Sequence, residues 1–267
     1  MKVEVLLATM YQDDWSIVKK CNINSNAIII NQCNQDKVEE ISSSYGKIKF
    51  ISTQERGLSK SRNMAIKNST ADICILSDDD IVFYTEYVDV IIKAFNELPD
   101  ADVLVFNIIS KNTDKRAQEK LFKRVKKIPF YKSYSSVHIA FKRKSIVDND
   151  IVFDTNFGTG SGVYSFAEDS LFFAQIHKKK LKAYTYPAII ADLYTEESSW
   201  FHGFDKKYFY DTGAFLAAGY PCLKSLYKWY YPLRFCSRSE LSFKMIMKYI
   251  NKGIAGYKKK MPYFEND

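Results

Sequence analysis

A chain of 267 residues with 46% apolar and 26% charged side chains can bury about three quarters of its unfolded surface, which excludes a disordered protein and any need for a disulfide or metal staple. Its five cysteines, Cys21, Cys33, Cys74, Cys222 and Cys236, are odd in number and form no CxxC pair, so a zinc ribbon or disulfide framework is excluded and a reduced, cytosolic chain is expected. The net charge of +8 is concentrated: residues 222 to 260 hold ten basic residues against Glu240 alone, which leaves the rest of the chain near neutrality and argues against a basic nucleic-acid-binding body.

The start, MKVEVLLATMYQDDW, has one lysine and an apolar run too brief for the core of a signal peptide, and reads as a first strand. Short β-branched runs recur at 3–9, 27–31, 48–52, 72–77 and 102–108. Their continuity suits strands buried on both faces, as in a parallel sheet. Between them, DDWSIVKKC, QDKVEEISSSY, GLSKSRNMAIKNS and TEYVDVIIKAFNEL have helical spacing. The alternation predicts an α/β fold with a mostly parallel, Rossmann-like sheet and helices on both faces, and places ligands at the carboxyl ends of the strands.

After residue 110 the alternation weakens. Residues 111–130 carry eight basic and two acidic side chains and read as a solvated surface hairpin; SVHIAFKRKSIV follows as a strand and turn. From residue 222 aromatics interleave with lysine and arginine, and the run Leu241, Phe243, Met245, Ile246, Met247, Tyr249, Ile250 suits either a helix lying in a membrane interface or a stripe packed on the preceding domain. No run of about 18 apolar residues is present to span a bilayer.

Two constellations carry chemistry. ICILSDDDIVF, residues 73–83, ends a buried strand in Asp78, Asp79 and Asp80. Acids at such a site cap a helix, solvate a turn or bind a divalent cation, and three in a row repel one another unless a cation or several donors lie nearby. Hard carboxylate oxygens suit Mg²⁺ or Mn²⁺. Upstream, ERGLSKSRN opens a helix at Gly57 and places Arg62 near its start, where a helix N-terminus beside arginine favours an anion such as a diphosphate.

The stretch from Glu55 to Asp80 resembles family 2 glycosyltransferases of the GT-A fold, in which a G-L-S-x-x-R-N helix precedes a strand ending in D-D-D. The likeness extends to the loop after the first strand (Thr9, Met10), to Asp36, and to GTGSGVYSFAEDSLFF, which looks like the family's glycine-rich acceptor loop followed by its E-D pair. It covers about residues 1–205, and points to bacterial enzymes that build capsular or other surface polysaccharides. The resemblance implies an inverting, metal-dependent hexosyltransferase that moves a sugar from a nucleotide diphosphate donor, UDP-linked by expectation, to a lipid-linked oligosaccharide. It implies Asp169 as general base, with Glu168 hydrogen-bonding the acceptor or orienting the loop. Asp78 and Asp80 would hold Mn²⁺ or Mg²⁺, Asp78 and Asp79 would also lie against the donor, and Thr9, Met10, Asp36 and Arg62 would contact the nucleotide. Asp36 departs from the pattern, because NQCNQD delays the acid beyond the second strand, which opens base recognition through Asn31 or Gln32 as an alternative. His202 is a candidate late metal or phosphate ligand, and the neighbouring Trp200 a candidate stacking surface for sugar.

The expected organisation is a catalytic domain at 1–221, with a nucleotide half (1–110) and an acceptor half (111–221), and a basic helical tail at 222–267 resting on the inner face of the plasma membrane. Two rivals stand beside this reading. A nucleotidyltransferase acting on sugar phosphates shares the fold type and the aspartates, although TMYQDD lacks its glycine-rich basic loop after the first strand. A nucleic-acid-binding protein would need a phosphate backbone to pass the acidic triplet.

Overall fold

The computed structural model describes residues 1–43, 46–111, 121–194 and 203–264. The amino-terminal elements are β1 (Val3–Met10), α1 (Ser16–Lys20), β2 (Asn26–Gln32), β3 (Lys37–Ser43), β4 (Gly46–Thr53), α2 (Leu58–Asn68), β5 (Ile73–Asp78), β6 (Ile81–Phe83), α3 (Tyr87–Glu97) and β7 (Val103–Ser110). The chain continues through β8 (Lys126–Lys127), β9 (Ile139–Lys142), α4 (Arg143–Val147), α5 (Glu168–Lys178), β10 (Ala183–Leu193), α6 (Lys206–Gly219), α7 (Lys224–Phe235) and α8 (Phe243–Tyr257).

The continuous apolar runs form strands because each face of the sheet meets a helical layer. On one face Val5, Leu7, Ile29 and Ile75 pack with Ile91, Ala94 and Phe95 of α3. On the other, Leu6, Ile28, Ile30 and Leu76 pack with Ala65 and Ile66 of α2 and with Phe172, Phe173 and Ile176 of α5. Side chains that alternate along a strand thus all find apolar partners, which is why no polar alternation is visible.

The sheet runs in the order β3-β4-β2-β1-β5-β9-β7-β10-β6, with β8 against β10. From β4 through β2 and β1 to β5 it is parallel, as expected. Beyond β5 it is mixed: β9 inserts antiparallel between β5 and β7, and β10 then runs parallel to β7. The expected α/β architecture is therefore present, with a continuous parallel part from β4 to β5 and a second parallel pair at β7 and β10.

Two readings need correction. The helix expected from QDKVEEISSSY is β3, an antiparallel edge strand on β4. Val38 and Ile41 are three apart, which gives them one side of a helix but opposite faces of a strand, and the unpaired edge of β4 decides between the two. The stripe considered for a membrane interface is also packed: Ile246, Tyr249 and Ile250 of α8 are buried with Phe209 and Leu216 of α6. Gly213 and Gly253 make that contact close, since a Cβ on Gly213 would collide with the Ile250 carbonyl and one on Gly253 with the Tyr210 carbonyl. Among the described residues no helix is long and apolar enough to cross a membrane.

Candidate active site

Parallel pairing of β1 with β5 places Ala8 opposite Asp78, so the two strands end at the same level and the residues that follow them meet. There the Thr9 hydroxyl donates to Asp79 Oδ2 at 2.6 Å. The next neighbour, β2, ends beside them with Asn31 in register with Thr9. The crevice predicted for the carboxyl ends of the strands is formed by these three termini.

Helix α2 begins against the same edge. Gly57, at φ 121°, donates its N–H to Gln32 Oε1 at 2.7 Å, and Leu58 N donates to the Thr159 carbonyl at 3.0 Å. The helix start is thereby fixed between β2 and the glycine loop, and a Cβ on Gly57 would stand 3.3 Å from the Gly160 oxygen. One turn later comes Arg62, only 3% exposed. Its Nη2 donates to both oxygens of Asp78 at 3.3 and 3.2 Å. Its Nη1 donates to Asp169 Oδ1 at 3.1 Å and lies 3.6 Å from Glu168 Oε1. The centre of the Phe153 ring lies 5.4 Å from the guanidinium carbon, and one planar cation joins the strand-ending Asp78 to the E-D pair.

The E-D pair is held as firmly. Ala167 takes a left-handed conformation at φ 84° and turns the chain into α5, whose first residues are Glu168 and Asp169. Asp169 Oδ2 accepts from Ser136 N at 3.0 Å, so each oxygen of that carboxylate has a fixed donor. Gly158 leaves room for Glu168, because a Cβ there would stand 3.0 Å from the glutamate Cδ.

Charge around Arg62 is unbalanced, with one guanidinium against Asp78, Glu168 and Asp169. Burial opposes the charge on Arg62, but its three carboxylate partners outweigh that effect and raise its pKa. Burial and the neighbouring Asp169, against the pull of Arg62, push the Glu168 carboxyl up to about 7. Withdrawal from water, reinforced by Asp80 and Asp169, also raises Asp78 despite Arg62. Such a surplus of negative charge in a crevice is the condition in which a cation is favoured.

Of the residues predicted from sequence, Thr9, Arg62, Asp78, Asp79, Asp80, Glu168 and Asp169 belong to β1, α2, α5 and the end of β5, which meet at this crevice. Met10 is the exposed last residue of β1. Arg62, expected as a nucleotide contact, turns both of its terminal nitrogens to carboxylates. Asp36 is exposed and accepts from Gln54 N and Nε2 at 3.0 and 2.8 Å; those bonds hold its carboxyl below the usual range. Asn31 and Gln32 are buried and used internally: Asn31 exchanges two hydrogen bonds with the Gln12 backbone, and Gln32 takes the Gly57 N–H. Their amides shape loops and are not turned to a base. His202 and Trp200 lie outside the described residues.

Sequence reasoning passed over Ser136, Phe153 and Arg56. Arg56 Nη1 donates to the carbonyls of Cys33, Thr53 and Gln54, its Nη2 donates to Asn34 Oδ1, and its guanidinium carbon stands 5.6 Å from the Tyr11 ring centre. Its place beside Gly57 was the available signal. A cavity of about 1130 Å³ between α2, α5 and the segment before α7 is lined by none of these carboxylates.

Among the described residues no group of three His, Cys, Asp or Glu side chains is arranged to hold a metal by protein ligands alone. The donor chemistry nonetheless fits Mg²⁺ or Mn²⁺, which bind through one or two carboxylates and complete their shell with substrate phosphates and water. Asp79 and Asp80 offer such oxygens, while Asp78 is occupied by Arg62.

The sequence model described as Glycosyl transferase family 2 matches residues 15–162, more than half of the chain. The chain belongs to glycosyl transferase family 2. It is therefore a nucleotide-sugar-dependent glycosyltransferase, which decides against the rival nucleotidyltransferase. Among solved structures, Staphylococcus aureus TarS 1-349 in complex with UDP-GlcNAc matches with a TM-score of 0.67 at 16% identity, covering 98% of this chain and 82% of that one. TarS 1-349 alone matches at 0.62 and 14%, with coverages of 99% and 93%. A longer TarS structure matches at 0.59 and 15%, with 97% of this chain and 43% of that one covered. At these identities the likeness is one of fold, and it agrees with the GT-A architecture read from the sequence. No curated protein matches the chain.

Proposed function

We propose that this enzyme transfers a sugar from a UDP-linked donor, with inversion at the anomeric carbon, to a hydroxyl of a lipid-linked oligosaccharide in bacterial surface polysaccharide synthesis. The observation that carries the reading is Arg62, whose single guanidinium ties the donor-side Asp78 to the acceptor-side Asp169. A displacement needs its base and its leaving-group site held at a fixed separation, and one buried planar cation does that with little freedom. The UDP-GlcNAc bound to TarS, a protein of the same fold, supports a uridine diphosphate donor.

In this reading Asp169 is the general base. Its oxygens are oriented by Arg62 Nη1 and Ser136 N, and it accepts the acceptor's hydroxyl proton as the new bond to the anomeric carbon forms and the bond to the diphosphate oxygen breaks. Glu168 shares Arg62 and lines the same wall. Thr9 fixes Asp79 for contact with the nucleotide, and the Tyr11 ring beside Arg56 offers the base a stacking surface. Asp79 and Asp80 would hold Mn²⁺ or Mg²⁺, which when bound offsets the negative charge of the departing diphosphate. Arg62 braces the carboxylates and leaves the phosphates to other donors.

The test is a panel of UDP-, GDP-, dTDP- and CMP-linked sugars scored by thermal stabilisation of the protein with Mn²⁺ present. A UDP-sugar should raise the melting temperature more than the others. Stabilisation by none of them, or by nucleoside triphosphates alone, would overturn the assignment.

A further inference from the structure

The helix that follows the α6 layer is apolar on two opposite sides. At 100° per residue, Tyr227, Tyr231 and Phe235 of α7 share one face, and all three pack into the cluster formed with α6 and α8. Leu226, Trp229, Tyr230 and Leu233 lie on the other side within an arc of about 100°, and they are 69%, 52%, 49% and 72% exposed. Four large apolar side chains in one stripe on a monomer's surface mark an interaction site, where singly scattered ones would not.

The chemistry around the stripe identifies what it meets. Arg234 falls about 40° from the edge of the stripe on the same helix, Arg238 lies just beyond it, Lys224 and Lys228 fall toward the packed side, and Glu240 is the sole acid between residues 222 and 260. The Arg234 guanidinium carbon stands 5.8 Å from the centre of the Tyr230 ring. Trp229 lies against Phe243 with ring centres 6.2 Å apart, which carries the apolar surface to the start of α8 beside Lys244. Leucine for the acyl boundary, tryptophan and tyrosine for the headgroup level and cations for anionic lipid are the components of a helix that lies in a membrane interface. At 12 residues, or about 18 Å, α7 is too short to span a bilayer and long enough to lie on one. A second copy of the chain fits less well, because a two-fold contact through this face would set the same cations against each other.

We propose that the outward stripe of α7, Leu226, Trp229, Tyr230 and Leu233 with Arg234 at its border and Arg238 and Lys244 beyond the helix, is the surface by which this enzyme lies on an anionic membrane. The proposal rests on the reading of a membrane-borne acceptor for its purpose, and on the geometry of α7 for its support. It shifts membrane contact from α8, where the sequence pattern suggested it, to the neighbouring helix.

The experiment uses the full chain and phosphatidylcholine vesicles with or without phosphatidylglycerol. Wild-type protein should sediment with the phosphatidylglycerol vesicles, and Leu226→Ser/Trp229→Ser/Leu233→Ser should reduce the bound fraction about tenfold or more. Arg234→Gln/Arg238→Gln/Lys244→Gln, which keeps the apolar stripe, should weaken binding and remove most of its salt dependence. Wild-type protein that ignores anionic vesicles, a triple-serine variant that binds undiminished, or a wild-type dimer that the serine variant returns to monomer would each overturn the proposal. Donor hydrolysis in solution should be unchanged in the serine variant, so a failure of vesicle binding and a failure of the glycosyl-transfer reading are told apart.

Discussion

Charge is buried around Arg62 and apolar surface is left in water along α7, and these two exceptions to ordinary partition are sustained in opposite ways. Arg62 is 3% exposed among Asp78, Glu168 and Asp169, so each ion loses hydration worth several kcal/mol and is stable only through the others. The α7 stripe has no such mutual dependence, because the helix is already anchored by Tyr227, Tyr231 and Phe235 on its far side. Altering the first region should therefore move stability and catalysis together. Altering the second should move neither, and should change only what the protein sits on.

The largest effect should follow loss of the shared cation. Arg62→Met leaves three carboxylates facing one another without their counter-charge, and should cost about 3–5 kcal/mol in urea unfolding together with donor turnover. An unchanged unfolding midpoint would show that the cluster is not a mutually supporting unit. Next comes Asp169→Asn, which keeps the shape but removes the base; turnover should fall by about a hundredfold or more while donor affinity stays within a few-fold. Near-wild-type turnover would move the base elsewhere.

Glu168 sharpens the comparison through pH. Its carboxyl holds its proton up to about 7 in the folded protein, against an ordinary value of 4.5. The folded state therefore binds more protons than the unfolded state between those values, and this group's contribution makes stability fall as pH rises from about 4.5 to about 7. Glu168→Gln should flatten that slope in unfolding measured at several pH values, and a slope identical to wild type would count against the shift.

Smaller still is Thr9→Val, which removes the hydroxyl holding Asp79. The cost should be about 1 kcal/mol, read as a donor KM raised about fivefold with little change in kcat. At the other end of the comparison, the triple-serine variant of α7 should unfold within about 0.5 kcal/mol of wild type. A larger loss would mean that the stripe is covered within the folded chain.

The central strands were legible because a sheet covered on both faces demands unbroken apolar runs, and β1, β2, β4, β5 and β7 obey that demand. The crevice was legible in GLSKSRN and DDD because helix start and strand end are close in sequence as well as in space. The role of Arg62 was not, since its contact with Asp169 joins residues 107 positions apart and only folding reveals that the arginine is buried. The partners of Asn31, Gln32 and Asp36 were hidden for a related reason: polarity marks a residue as available for hydrogen bonding and leaves open whether it meets a ligand or, as here, Gln12, Gly57 and Gln54. In the tail, α7 and α8 both carry aromatic and apolar stripes, and only the close approach at Gly213 and Gly253 decides that α8 takes the buried place on α6.

The central claim is that one crevice, braced by Arg62, releases UDP from a UDP-sugar and activates the acceptor hydroxyl. Release of UDP by the purified protein with Mn²⁺ and acceptor oligosaccharide tests it most directly, measured for wild type, Asp80→Ala and Asp169→Asn and repeated in EDTA. The account predicts release by wild type, its loss in EDTA and in Asp80→Ala, and severely slowed transfer with intact donor binding in Asp169→Asn. UDP release that proceeds equally in EDTA and in both variants would contradict it.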